Sequence, residues 1–178
     1  MSTTLIDTKQ SPSLADLKWP GVDGQRPRIL FAEDDSSLRR VGELVLLQSG
    51  YSVHGVADGA DAWAALNRSG YDLLITDNEM PRLTGMELVR KLQLARMNVP
   101  VILTSGTFDT LPSHELSGLE CSAMLAKPFT FDQLLLIVRE VLRATVNGLP
   151  SLAPQPPAFE DFRPSIHQSD ATRSGINE

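Results

Sequence analysis

The sequence has a single cysteine, Cys121, which excludes an intramolecular disulfide and a cysteine-based zinc site. Histidine is nearly as scarce. His54, His114 and His167 are scattered and do not have the spacing of a metal-ligand cluster. Basic residues are outnumbered, 16 Lys and Arg against 22 Asp and Glu, and the formal net charge is -6. Nucleic acid and anionic membrane surfaces both select clustered Lys and Arg, so neither is an expected partner. No stretch approaches the roughly 20 apolar residues that span a bilayer. Residues 1–10 lack the basic start and apolar run of a secretory signal. The expected compartment is the cytoplasm. What remains is an ordinary globular composition, 42% hydrophobic and 21% charged over 178 residues, enough for one well-buried domain.

Composition divides the chain into three. Residues 1–26 carry Ser, Thr, Pro and Gly without sustained periodicity, and residues 146–178 include Pro150, Pro154, Pro156, Pro157 and Pro164. Both read as flexible tails, because neither buries enough apolar surface to offset ordering. The fold is expected in residues 27–145.

Within that region, strand-like apolar runs at 28–32, 51–56, 72–76, 101–104 and 122–126 alternate with segments of helical period. Leu38, Val41, Val45 and Leu47 form the expected apolar stripe of the first helix. Asp58 can cap a second helix. Thr84 with Glu87, and Thr130 with Gln133, have capping-box spacing for a third and a last one. Another helix is expected from Pro112, a residue suited to a first turn. Five strands alternating with five helices imply an α/β fold with a parallel sheet covered on both faces. Right-handed crossovers make it doubly wound. Such sheets bind ligands beyond the carboxyl ends of their strands.

Chemically capable residues follow four of the strands: Glu33, Asp34 and Asp35 the first, Asp77 the third, Ser105 the fourth and Lys127 the fifth. Singly, each reads as a cap, a turn or a solvated charge. Together they suit phosphoryl capture by a carboxylate. Asp77 would be the nucleophile. Glu33, Asp34 and Asp77 offer hard oxygen ligands to Mg²⁺, Lys127 a compact positive charge, and Ser105 a hydroxyl donor.

The segments ILFAEDDSSLRR, DLLITDNEMPRLTGMEL, PVILTSG and LAKPF resemble the receiver domain of two-component response regulators. The resemblance covers residues 27–145 and implies a flavodoxin-like sheet of order 2-1-3-4-5. It also implies roles: Glu33 and Asp34 as the Mg²⁺-binding acids, Asp35 as a neighbour without a required role, and Asp77 as the phospho-acceptor. The backbone carbonyl of Glu79 would be a further Mg²⁺ ligand, its side chain standing where phosphoryl lifetime is tuned. Ser105 would be the hydroxyl that turns inward on phosphorylation, and Lys127 the site's lysine, joined to Pro128 by a typically cis bond. The expected donor is a sensor histidine kinase or a phosphotransfer protein.

One position departs from the family. Three residues before Lys127, where an aromatic switch residue is usual, stands Met124, which can repack but has no ring to swing. The acidic, proline-rich end of the chain reads as no DNA-binding domain, so the output is expected to be a protein partner or onward phosphotransfer. The last helix carries Leu135, Leu136 and Leu142 beside its stripe of Leu134, Ile137, Val138 and Val141. That excess reads either as deep packing or as a face for a partner or a phosphorylation-dependent homodimer. Two rival functions stand beside the receiver reading. A phosphatase with an aspartyl-phosphate intermediate, of the haloacid dehalogenase kind, normally has its nucleophile on the first strand and a second Asp two residues on. Here the acidic pair comes first and position 79 is Glu. A receiver fold used only as a binding module usually lacks part of the acid–Asp–Lys set, which this chain has whole.

Overall fold

The structure is a computed structural model describing residues 25–108, 116 and 118–147. Chain order runs β1 (Arg28–Ala32), α1 (Ser36–Gln48), β2 (Ser52–Val56), α2 (Gly59–Leu66), β3 (Leu73–Asp77), α3 (Gly85–Leu94), β4 (Val101–Ser105), β5 (Ala123–Ala126) and α4 (Phe131–Val146). All four strand pairings are parallel and the order is β2-β1-β3-β4-β5, as expected. The described residues contain four α-helices rather than five. The helix expected from Pro112 lies outside them apart from Leu116, which is helical, and so do residues 1–24 and 148–178 of the expected tails.

Successive side chains of a strand point to opposite faces, so a sheet covered on both sides needs apolar residues at every position. The strands supply this. Ile29, Phe31, Leu73, Ile75 and Ile102 face a core completed by Leu46 of α1 and by Leu134, Val138 and Val141 of α4. Leu30, Leu74 and Leu103 face the opposite core, with Ala62 and Leu66 of α2 and Leu88, Val89 and Leu92 of α3. Of the extra leucines on α4, Leu135 and Leu142 are buried, whereas Leu136 is 58% exposed.

The buried stripe of α1 differs from the expected one. Val41 and Leu47 are each 45% exposed, and the residues that face the sheet are Gly42 and Leu46. The reason is Phe31. A Cβ at position 42 would overlap its ring, so the helix presents its one glycine there and turns its phase accordingly.

Helix starts follow local chemistry. Asp35 caps α1 by accepting from the amides of Ser37 and Leu38, both at 2.8 Å. Thr84 and Thr130 form the two expected capping boxes with Glu87 and Gln133. Asp58 caps α2 through the amides of Ala60 (2.8 Å) and Asp61 (2.9 Å). Its second oxygen accepts from Nε of Arg82 at 2.6 Å and also from Nη2, which lies 2.9 Å from Asp61 Oδ2. Arg82 has φ 66°, a left-handed conformation uncommon for a side-chain-bearing residue, and these ion pairs hold it there.

Burial works to raise the pKa of Asp58, but the Asp61 amide, the Arg82 guanidinium and the Ala60 amide outweigh it and hold the carboxyl below its usual range. Its contribution is therefore complete above the ordinary carboxylate range and is lost as pH falls through the lowered pKa. Asp58→Ala is expected to remove about 2 kcal/mol, since a cap and a charge-assisted pair go together. The loss should appear as a lower urea midpoint and shrink in acid.

Candidate functional site

Four strands carry the candidate residues to one edge of the sheet. Asp77 and Ser105 are the last residues of β3 and β4 rather than the first residues beyond them. Glu33 continues β1 by donating its amide to the Val56 carbonyl at 3.2 Å, and Lys127 follows β5 with its amide on the Ser105 carbonyl at 2.7 Å. The Lys127–Pro128 peptide is cis, as the resemblance implied.

The loop after Asp77 is fixed from several sides. The Asn78 amide donates to the Thr104 carbonyl at 2.8 Å, and Asn78 Oδ1 accepts from the Met86 amide at 3.2 Å. Gly85 packs so closely that a Cβ there would overlap the Asp77 carbonyl oxygen and lie 2.8 Å from Leu103 Cδ1. Backbone cannot move aside as a flexible side chain does, so Gly85→Ala is expected to cost about 1–3 kcal/mol. Chemical denaturation measures it. On the other side of the site, Arg39 Nη1 donates to the carbonyls of Glu33 (2.6 Å) and Asp34 (3.2 Å), fixing the turn that carries both acids. Asp35 is committed to its cap.

At the centre, Lys127 Nζ lies 2.8 Å from Asp77 Oδ2 and 3.1 Å from Glu33 Oε2. Glu33 and Asp77 are each 2% exposed, while Asp34 faces solvent. Carboxylate oxygens of Glu33, Asp34 and Asp77 fall within 4.8 Å of one another. Asp77 Oδ1 is buried and has no hydrogen-bond partner, alone in this among the described side chains. Such an atom is costly unless something else satisfies it.

The electrostatics follow from crowding. Burial raises the pKa of Glu33, the Asp77 charge adds to this, and Lys127 offsets part of it. Burial also raises Asp77, against the hydrogen bond and charge of Lys127, with Glu79 pushing further upward. Desolvation disfavours the Lys127 charge, yet the hydrogen bond and charge of Asp77, and then Glu33, raise its pKa.

The structure thus brings together Glu33, Asp34, Asp77 and Lys127. Ser105 is buried beside them, but its hydroxyl donates to Glu79 Oε1 at 2.5 Å. Glu79, expected to offer its backbone carbonyl to Mg²⁺ and its side chain to the phosphoryl's surroundings, engages the end of β4 with that side chain. Thr107 was not singled out in the sequence, yet its hydroxyl donates to the same Glu79 oxygen at 2.6 Å. No local signal marks a contact between residues 28 apart in the chain. Met124 is partly buried, paired in register with Leu103 and packed against the core under α2 and α3.

The response regulator receiver domain family matches residues 29–139, more than half of the chain. The chain belongs to that family. It is 35% identical over 120 residues to the response regulator MprA of Mycobacterium leprae, covering 66% of this chain and 52% of that protein. It is 34% identical over 121 residues to the uncharacterized transcriptional regulatory protein YkoG of Bacillus subtilis, covering 67% and 52%. The chain therefore spans about half the length of these curated relatives. Among solved structures, the receiver domain of the Francisella response regulator 1452 superposes with a TM-score of 0.61 at 30% identity, over 67% of this chain and 99% of that one. A CheY-like receiver protein from Methanospirillum hungatei shares the fold, with a TM-score of 0.65 at 23% identity over 70% and 99%. Among the described residues, no helix is long and apolar enough to cross a membrane.

Proposed function

We propose that the chain accepts a phosphoryl group on Asp77 in a Mg²⁺-dependent transfer from a sensor histidine kinase or a phosphotransfer protein, and that this changes its affinity for a protein partner in the cytoplasm. The observation that carries the reading is the state of the Asp77 carboxylate. One of its oxygens is held by Lys127, and the other is buried without a partner beside two further acids.

That unpartnered oxygen, with the neighbouring oxygens of Glu33 and Asp34, forms an all-oxygen donor set of the kind Mg²⁺ takes. Glu33, Asp34, Asp77 and the Glu79 backbone carbonyl would hold the ion, which supplies positive charge against the phosphoryl oxygens and the attacking carboxylate. The chain's own residues do the rest. An Asp77 oxygen donates its electron pair to phosphorus. The phosphorus–nitrogen bond of a phosphohistidine donor breaks, and that pair returns to the imidazole. Lys127 is a fixed cation at the oxygen it already contacts, and Ser105 has a hydroxyl to give to a phosphoryl oxygen. The product is an aspartyl phosphate, so the protein takes one group per cycle and turns over no substrate of its own.

Incubation with acetyl phosphate and Mg²⁺, followed by intact-mass and peptide measurement, tests the reading. The expected gain is one phosphoryl group on the peptide containing Asp77, absent when Mg²⁺ is chelated. A folded protein that gains no mass with Mg²⁺ present would remove the proposal and leave a binding module. Rapid hydrolysis of phosphomonoesters would favour the phosphatase instead.

A further inference from the structure

The carboxylate of Glu79 gathers an unusual number of donors for a solvent-facing side chain. Oε1 accepts from Ser105 Oγ at 2.5 Å, from Thr107 Oγ1 at 2.6 Å and from Asn78 Nδ2 at 3.4 Å, while Oε2 accepts from the Gly106 amide at 3.2 Å. The Thr107 amide in turn donates to Ser105 Oγ at 3.0 Å. The segment leaving β4 is thus wrapped around an anion, and the anion belongs to the protein. It sits close enough to Asp77 for its charge to act on that carboxylate.

A phosphoryl group on Asp77 would bring close to a second full negative charge and three acceptor oxygens to this spot. Two constraints then meet. Like charges a few ångströms apart in a partly buried site repel. A serine hydroxyl also has one proton to donate, so Ser105 serves the Glu79 carboxylate or a phosphoryl oxygen, but not both fully.

We propose that Glu79 is an internal anion that seats Ser105, Gly106 and Thr107 in the unphosphorylated protein, and that phosphorylation of Asp77 unseats them by claiming the Ser105 hydroxyl and repelling Glu79. The inference rests on the phosphoryl-accepting reading of Asp77. It makes Thr107 and the Gly106 amide the first groups outside the site to register the phosphoryl group. It also gives the signal a route through the β4 end that needs no aromatic ring at position 124, where the chain has Met124.

The test uses the full chain, labelled with ¹⁵N, with and without acetyl phosphate and Mg²⁺, the phosphorylated fraction being read by intact mass. In the unphosphorylated wild type the Gly106 amide is held, and on phosphorylation its exchange should quicken by about tenfold, the scale of losing one hydrogen bond to a charged acceptor. Unphosphorylated Glu79→Ala should show the same gain. Its Gly106 and Thr107 amide resonances should move toward their positions in the phosphorylated wild type. Thr107→Val keeps the shape, removes one donor to Oε1, and should move them part of the way. A mass-verified phosphoprotein whose Gly106 and Thr107 resonances stay in place would overturn the displacement and leave Asp77 as the acceptor. So would a folded Glu79→Ala variant with unmoved resonances. Absence of any mass gain removes both readings together.

Discussion

Asp77→Asn is expected to abolish phosphoryl gain and, in the absence of magnesium, to make the protein more stable. The first effect follows from the chemistry. An amide oxygen lacks the charge to attack phosphorus, and no other described acid has both a lysine contact and a buried unpartnered oxygen. The second follows from desolvation. Asp77 has a raised pKa, its ionised form being disfavoured by burial despite Lys127. For a carboxyl raised above its unfolded value, the penalty is absent in acid and fully present above the folded pKa. Asparagine removes that penalty and can still accept from Lys127. The gain should be about 1 kcal/mol at neutral pH, because two carboxylates on one lysine become a balanced pair. Thermal melts across pH check it: the advantage of the variant should shrink on acidification. Added Mg²⁺, which would bind the folded wild type, should narrow the difference from the other side.

Lys127→Ala is expected to act in the opposite sense on stability and in the same sense on chemistry. Glu33 and Asp77, with side chains 3% exposed, would lose their shared cation. Removing one partner of a buried charge cluster costs about 3 kcal/mol, because what remains is uncompensated charge. The deficit should be largest above the raised carboxyl pKa values. It should recover as pH falls through them, since protonation then removes the charge that the lysine opposed. Mg²⁺ should restore part of it at neutral pH, because the acids that would hold the ion are intact. Phosphoryl acceptance should nevertheless fall by about 100-fold, the usual cost of losing one preplaced charge at an oxygen that gains charge in the transition state. Melting curves with and without Mg²⁺ read the first effect, and time-resolved mass measurement with acetyl phosphate reads the second.

Much of this was legible in the sequence, and the parts that were not have physical reasons. The capping boxes at Thr84 and Thr130 were visible because their donors and acceptors lie three residues apart. The parallel, doubly covered sheet was visible because Leu73-Leu74-Ile75 runs apolar without alternation, as a strand with two buried faces must. Strand ends were misplaced by one residue at Asp77 and Ser105, since hydrophobic runs stop at polar side chains while backbone ladders continue through them. The phase of α1 was hidden because Gly42 adds nothing to an apolar count, yet it is the residue that Phe31 requires there. Glu79 and Arg82 act on residues more than 20 positions away, so their partners became apparent only when the loops were folded together.

The Arg82 pairing has a mechanical consequence. The loop after β3 is bolted: Arg82 ties it to the start of α2 through Asp58 and Asp61, and Asn78 and Gly85 hold it against backbone. The segment after β4 is latched through one carboxylate. Two sets of contacts thus flank the same site, one anchored to backbone and one hung on a single side chain. On the proposed reading, work done at Asp77 would be directed toward the β4 end, with the α2–α3 side as the anvil.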